Sequence, residues 1–216
     1  QVHPDDEYAR IHENGSLGKT ECWYILDCDK DATIVIGHNA KNQKELEEMI
    51  RQKRWKEFIR EIPIHKGDFF QIDPGCLHAI KKGTLLLETQ QNSDITYRVY
   101  DYDRLQNGKP RALHVEESID VIKAPFSENK SERILSKFEG LDVEKLVSCK
   151  YYTVEKLDVH GKAEFERKCN FMDVSVIDGV GEIDGTKLKK GMHFIVPSDY
   201  GKINLSGNMS MIISYI

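Results

Sequence analysis

No apolar run in this 216-residue sequence approaches the length of a bilayer-crossing helix, and no signal-like segment opens it. It also lacks an initiator Met. Its natural start is therefore expected upstream of Gln1, where a targeting segment remains open. Cysteine is scarce and unpatterned: Cys22, Cys28, Cys76, Cys149 and Cys169 form no CxxC pair and are odd in number. That excludes a disulfide framework and leads us to expect reduced thiols and a cytoplasmic location. Positive charge is in deficit, with 31 Lys and Arg against 36 Asp and Glu, a formal charge of -5. Nucleic acid and anionic membranes are accordingly excluded as partners, and an anionic substrate would need a local basic pocket.

What is present is an ordinary globular composition, 39% hydrophobic and 31% charged, with length enough for one large or two small domains. Residues 5–20 read as a polar, turn-rich loop with a helical turn near Glu7–Ile11. Short apolar alternations at Trp23–Asp27 and Thr33–Gly37 predict strands. From about 42 to 62 the period becomes helical through Leu46, Met49, Ile50, Trp55, Phe58, Ile59 and Ile62, predicting an inserted amphipathic helix or two. Strands are expected again over Thr84–Thr89 and Ile95–Tyr102. The second of these would set Arg98 and Tyr100 on one face. Residues 126–148 read as a linker broken from the first domain near Pro125, with a second β-domain over 149–216 built of short strands between Gly, Asp and Asn.

One constellation carries chemistry. If Gln1-Val2-His3 is extended, its first and third side chains leave the same face, as do Lys19, Glu21 and Trp23 on the next strand. His78 closes the Gly-containing turn Pro74-Gly75-Cys76-Leu77-His78. An amide oxygen from Gln1, imidazoles from His3 and His78, and the Glu21 carboxylate make an N/O set without thiolate. Such a set suits one zinc or similar divalent ion with a position left open.

The segments Gln1-Val2-His3-Pro4-Asp5-Asp6-Glu7-Tyr8-Ala9, Gly18-Lys19-Thr20-Glu21-Cys22-Trp23-Tyr24, Gly75-Cys76-Leu77-His78-Ala79-Ile80 and Ser93-Asp94-Ile95-Thr96-Tyr97-Arg98-Val99-Tyr100-Asp101 resemble, in that order, the signature segments of type I mannose-6-phosphate isomerase in its short bacterial form. The resemblance spans residues 1 to about 104 and implies a mostly β chain of two cupin-like jelly-roll domains with a small helical insertion. The first (1–125) would be metal-binding and catalytic, and the second a degenerate, metal-free cupin. Family members carry a segment ahead of the Gln-x-His motif that supplies strands to the first domain. Part of that domain is thus expected to be missing here.

The activity implied is zinc-dependent aldose–ketose isomerisation of a hexose 6-phosphate through an enediol, with one zinc per chain in a monomer or homodimer. The resemblance gives Arg98, Lys19 and Glu88 catalytic positions and places Lys19, Asp94 and Arg98 at the substrate. The proton-transferring base stays open among Glu88, Asp94, Lys19 and a metal-bound water. At Gly18 the sequence departs from members that carry His there, which removes a relay through that position. Two rivals remain: a cupin oxygenase, which the Gln-x-His start disfavours, and a non-catalytic metal- or sugar-binding cupin.

Overall fold

A computed structural model describes all residues, Gln1–Ile216. They divide into two compact units, Gln1–Lys130 and Ser131–Ile216. The fold class is mostly β, two cupin-like β-domains with a small helical insertion, as the sequence implied. No helix is long and apolar enough to cross a membrane.

The first unit runs through α1 (Asp6–His12), β1 (Glu21–Cys28), β2 (Thr33–His38), α2 (Gln43–Arg51), α3 (Trp55–Phe58), β3 (Ile59–Pro63), β4 (Phe69–Ile72), β5 (His78–Ala79), β6 (Thr84–Gln90), β7 (Leu105–Gln106), β8 (Lys109–Pro110) and α4 (Val115–Val121). Antiparallel pairing yields two three-stranded sheets, ordered β4-β1-β6 and β3-β2-β5, and the small ribbon β7-β8. Alternation on β2 explains the packing. Ile34 and Ile36 join Trp23, Ile25, Ile64 and Ile72 in one core, while Val35 turns to the other side among Leu46, Met49, Ile50 and Phe58. Each such side chain contributes about 1.5–3 kcal/mol by leaving water, so both faces of β2 are committed.

Helix α2 starts where the Asn42 side chain accepts the Glu45 N–H at 3.0 Å, and it buries the 3.6-period stripe Leu46, Met49, Ile50. The predicted helical insertion over 42–62 overran its end. Helix stops at Phe58, and Ile59 and Ile62 belong to β3, whose alternation happens to continue a helical spacing. The expected strand Ile95–Tyr102 is likewise absent. Only Tyr97 pairs, through a bridge to Val2, and the rest is irregular chain.

The second unit comprises β9 (Ile134–Phe138), β10 (Leu141–Ser148), β11 (Thr153–Phe165), β12 (Phe171–Ile183), β13 (Thr186–Lys189), β14 (His193–Pro197) and β15 (Ile203–Tyr215). All are antiparallel, in the order β13-β12-β15-β11-β10-β9, with β14 also on β12. The linker expected over 126–148 is corrected here, because residues 134–148 form the hairpin β9-β10. The strands are also longer than predicted, thirteen residues each in β11, β12 and β15. Their inward residues, Leu157, Val159, Met172, Val174, Val176, Met209, Met211 and Ile213 among them, make a single core. His160 faces Asp142 at 3.5 Å, His193 bonds Ser175 at 2.8 Å, and Lys202 pairs with Glu164 at 2.9 Å.

Candidate metal centre

Three segments distant in sequence meet in the first unit. Residues 1–3 lie extended between two neighbours. Val2 exchanges both main-chain hydrogen bonds with Tyr97 on one side, while His78 N–H donates to the Gln1 carbonyl and Gly75 N–H to that of His3 on the other. Gly75 makes the turn possible with φ +84°, and a Cβ there would lie 2.6 Å from the Val121 carbonyl oxygen. Residues 5–20 return the chain to β1. Gly18 N–H donates to Asp6 Oδ1 at 3.1 Å, and buried Gln91 binds both the Thr20 N–H (2.8 Å) and the same Asp6 oxygen (3.1 Å).

His3, Glu21 and His78 are brought together, all essentially inaccessible to solvent, with their ligating atoms within 4.8 Å of one another. His3 Nε2 lies 3.3 Å from one Glu21 oxygen, and His78 Nε2 lies 3.2 Å from the other. The opposite nitrogen of each ring is already engaged: His3 Nδ1–H donates to the Ile95 carbonyl (2.7 Å) and His78 Nδ1–H to the Cys76 carbonyl (2.9 Å). This tautomer leaves both Nε2 atoms as lone pairs aimed at a carboxylate. Burial keeps His78 neutral by pushing its pKa down.

Acceptor thus faces acceptor: His3 Nε2 and both Glu21 oxygens are buried without a well-aligned hydrogen bond, although Lys19 Nζ stands 3.1 Å from one Glu21 oxygen. Buried polar atoms in that condition cost roughly 1–3 kcal/mol each. A divalent cation between them satisfies all of them at once, so the residues present fit a metal of nitrogen and oxygen preference. Gln1 reaches the same place, with its amide nitrogen 3.1 Å from His78 Nε2. A half-turn of the amide puts Oε1 there instead, as a ligand role requires.

Lys19 joins this group: its Nζ is 3.1 Å from Glu21 and 3.7 Å from Glu88, and the residue is buried. Glu88 is partly exposed, and its other oxygen accepts the Trp23 indole N–H at 2.9 Å. Arg98 stands on irregular chain rather than on a strand. Its guanidinium donates to the Ala112 carbonyl (3.1 Å), and its main-chain N–H donates to His114 Nδ1 (3.2 Å). Asp101 pairs with Arg104 and Arg111 rather than with Arg98. Asp94 is exposed, its carbonyl accepts the Thr96 hydroxyl, and none of the centre's polar contacts involves its carboxylate.

Sequence reasoning gave no role to Trp23 beyond its phase with Glu21, and missed Gln91, Asp6 and the carbonyls of Cys76 and Ile95. The buried amide of Gln91 ends a strand beside a polar loop, a faint signal at best. The carbonyls leave no trace in sequence.

Comparison with known proteins places this geometry. Residues 142–216 match the model of the mannose-6-phosphate isomerase cupin domain. The whole chain is 47% identical to mannose-6-phosphate isomerase ManA of Bacillus subtilis strain 168, spanning 70% of that protein. It is 43% identical to the mannose-6-phosphate isomerase of Streptococcus mutans, spanning 69%. The crystal structure of the mannose 6-phosphate isomerase from Bacillus subtilis superposes over the whole chain and 70% of its own length, with TM-score 0.96 at 44% identity. The two-unit β architecture, the buried His3–Glu21–His78 group and these full-length identities lead to one conclusion: the chain belongs to the mannose-6-phosphate isomerase family.

Proposed function

We propose that the protein interconverts mannose 6-phosphate and fructose 6-phosphate using one zinc ion held by His3, Glu21, His78 and the amide oxygen of Gln1. The observation that carries this reading is the convergence of the buried His3, Glu21 and His78 side chains, whose ligating atoms lie within 4.8 Å of one another. The full-length similarity to isomerases supports the substrate assignment.

When bound, the ion supplies Lewis-acid stabilisation of negative charge on adjacent sugar oxygens. Moving a C–H proton between neighbouring carbons is the difficult part, because that proton is very weakly acidic. Glu88 is the candidate base: it is partly exposed, and its Oε1 lies 3.7 Å from the Lys19 ammonium. It takes the proton from C2 and returns it to C1, while the O2 proton moves to O1 through an enediol. Lys19, whose Nζ lies 3.1 Å from Glu21 and 3.7 Å from Glu88, carries that second proton in this scheme. Arg98 supplies a permanent positive charge for substrate oxygens, in a chain whose overall charge is negative.

The test is a coupled assay of mannose 6-phosphate conversion on metal-stripped protein, before and after zinc is resupplied, with His78→Ala as control. Zinc-restored turnover that His78→Ala abolishes is expected. Stoichiometric zinc without turnover would contradict the isomerase reading and favour a binding cupin.

A further inference from the structure

Lys19, Glu21 and Trp23 are spaced two apart where the chain enters and follows β1, so their side chains leave one face of it. Glu21 belongs to the metal centre and Lys19 bridges Glu21 to Glu88. Trp23 is the third of the row and is completely buried. Packing alone does not account for the choice of tryptophan. A phenylalanine would serve the surrounding Ile25, Ile34, Ile36 and Ile72, whereas an indole brings a donor that must find an acceptor when buried. The acceptor here is Glu88, directly opposite Trp23 in the β1–β6 register, whose Oε2 receives the indole N–H at 2.9 Å. The same ring meets His78 edge-on, with centroids 5.4 Å apart and planes at 76°.

We propose that Trp23 is a positioning residue for the isomerisation. Its N–H pins one oxygen of Glu88 so that the other is presented beside Lys19, and its edge sets the His78 ring. Untethered, a glutamate on a partly exposed strand position would explore several rotamers. Its reactive oxygen would then be correctly placed for only a fraction of the time. The inference rests on Glu88 acting as the base in the proposed isomerase reaction.

The decisive variant replaces Trp23 by benzothienylalanine through stop-codon suppression. This analogue keeps the ring size and shape but carries sulfur where the indole has N–H, so it folds where Trp23→Phe leaves a cavity. We expect kcat to fall about tenfold, a fraction of the 10²–10⁴ that a positioned base supplies, with KM for mannose 6-phosphate within about twofold and metal content unchanged. On a Glu88→Gln background the same replacement should cost nothing further, because the two groups act as one unit. Wild-type kcat in the analogue, or an undiminished loss on the Glu88→Gln background, overturns the positioning role alone. Wild-type kcat in Glu88→Gln itself overturns both the positioning role and the assignment of the base.

Discussion

His3 and His78 stand with ring centres 4.9 Å apart, tilted by 44°, and turn the same atom, Nε2, toward the two oxygens of Glu21. Each ring is held in that pose from behind by a main-chain carbonyl, so neither can swing away to relieve the crowding of acceptors. The pair is arranged for a cation before one arrives, which is how a metal site gains affinity from its surroundings.

Replacing Glu21 by Gln keeps size and packing but removes the only carboxylate among the three residues of the proposed site. Zinc affinity should fall at least about 10–100-fold, the scale seen even for supporting residues around a metal. Competition with a chromogenic chelator, on wild type and Glu21→Gln side by side, measures this. Equal affinities would mean that the carboxylate does not bind the ion.

Gly75→Ala should be disproportionately harmful for one added methyl. The residue holds φ +84°, and the new Cβ would press on the Val121 carbonyl, which is backbone and cannot step aside. A loss of roughly 1–3 kcal/mol is expected from the conformation alone, read by urea unfolding. Zinc affinity should fall with it, because His78 is three residues on.

Asp101 ties the irregular segment after Arg98 together. The Arg111 guanidinium, against the opposing effect of burial and with help from Arg104, holds its carboxyl well below the usual range. A lowered folded-state pKa stabilises the fold above the unfolded value and loses that contribution as pH falls. Wild type should therefore outlast Asp101→Asn in urea at pH 7, and the gap should close on acidification from about pH 3.9 downward. A gap that stayed constant on acidification from about pH 5 to about pH 2 would contradict this origin.

Burial pushes the Cys76 thiol up to about 12, so it is almost entirely protonated near neutrality. In the folded protein at pH 8 it should react with a thiol reagent far more slowly than it does in denaturant. Mass mapping of the labelled cysteines tests this, and rapid labelling of Cys76 in the native protein would be the contrary result.

Part of the candidate centre was legible because period-two spacing carries Lys19, Glu21 and Trp23 onto one face whatever the details of the sheet. Gly75 was legible because a turn of positive φ asks for glycine. Other features were hidden for physical reasons. Ile59 and Ile62 satisfy a helical period and a strand period equally, so where helix gives way to β3 could not be read. The strand β9 has every residue exposed and therefore shows no alternation, which made it look like linker. Glycines that ordinarily punctuate strands lie inside β12; Gly179, at φ +76°, is so close to the Asn208 carbonyl that a side chain would collide with it. The position of Arg98 depends on Ala112 and His114, contacts across an irregular loop that no local pattern announces.

The most direct measurement is anomalous diffraction at the zinc absorption edge from crystals of the protein grown with stoichiometric zinc. A single peak about 2.0–2.2 Å from His3 Nε2, His78 Nε2 and a Glu21 oxygen is expected, with the Gln1 amide oxygen turned toward it. A peak elsewhere, or none, with a water bridging His3 to Glu21, would contradict the metal centre.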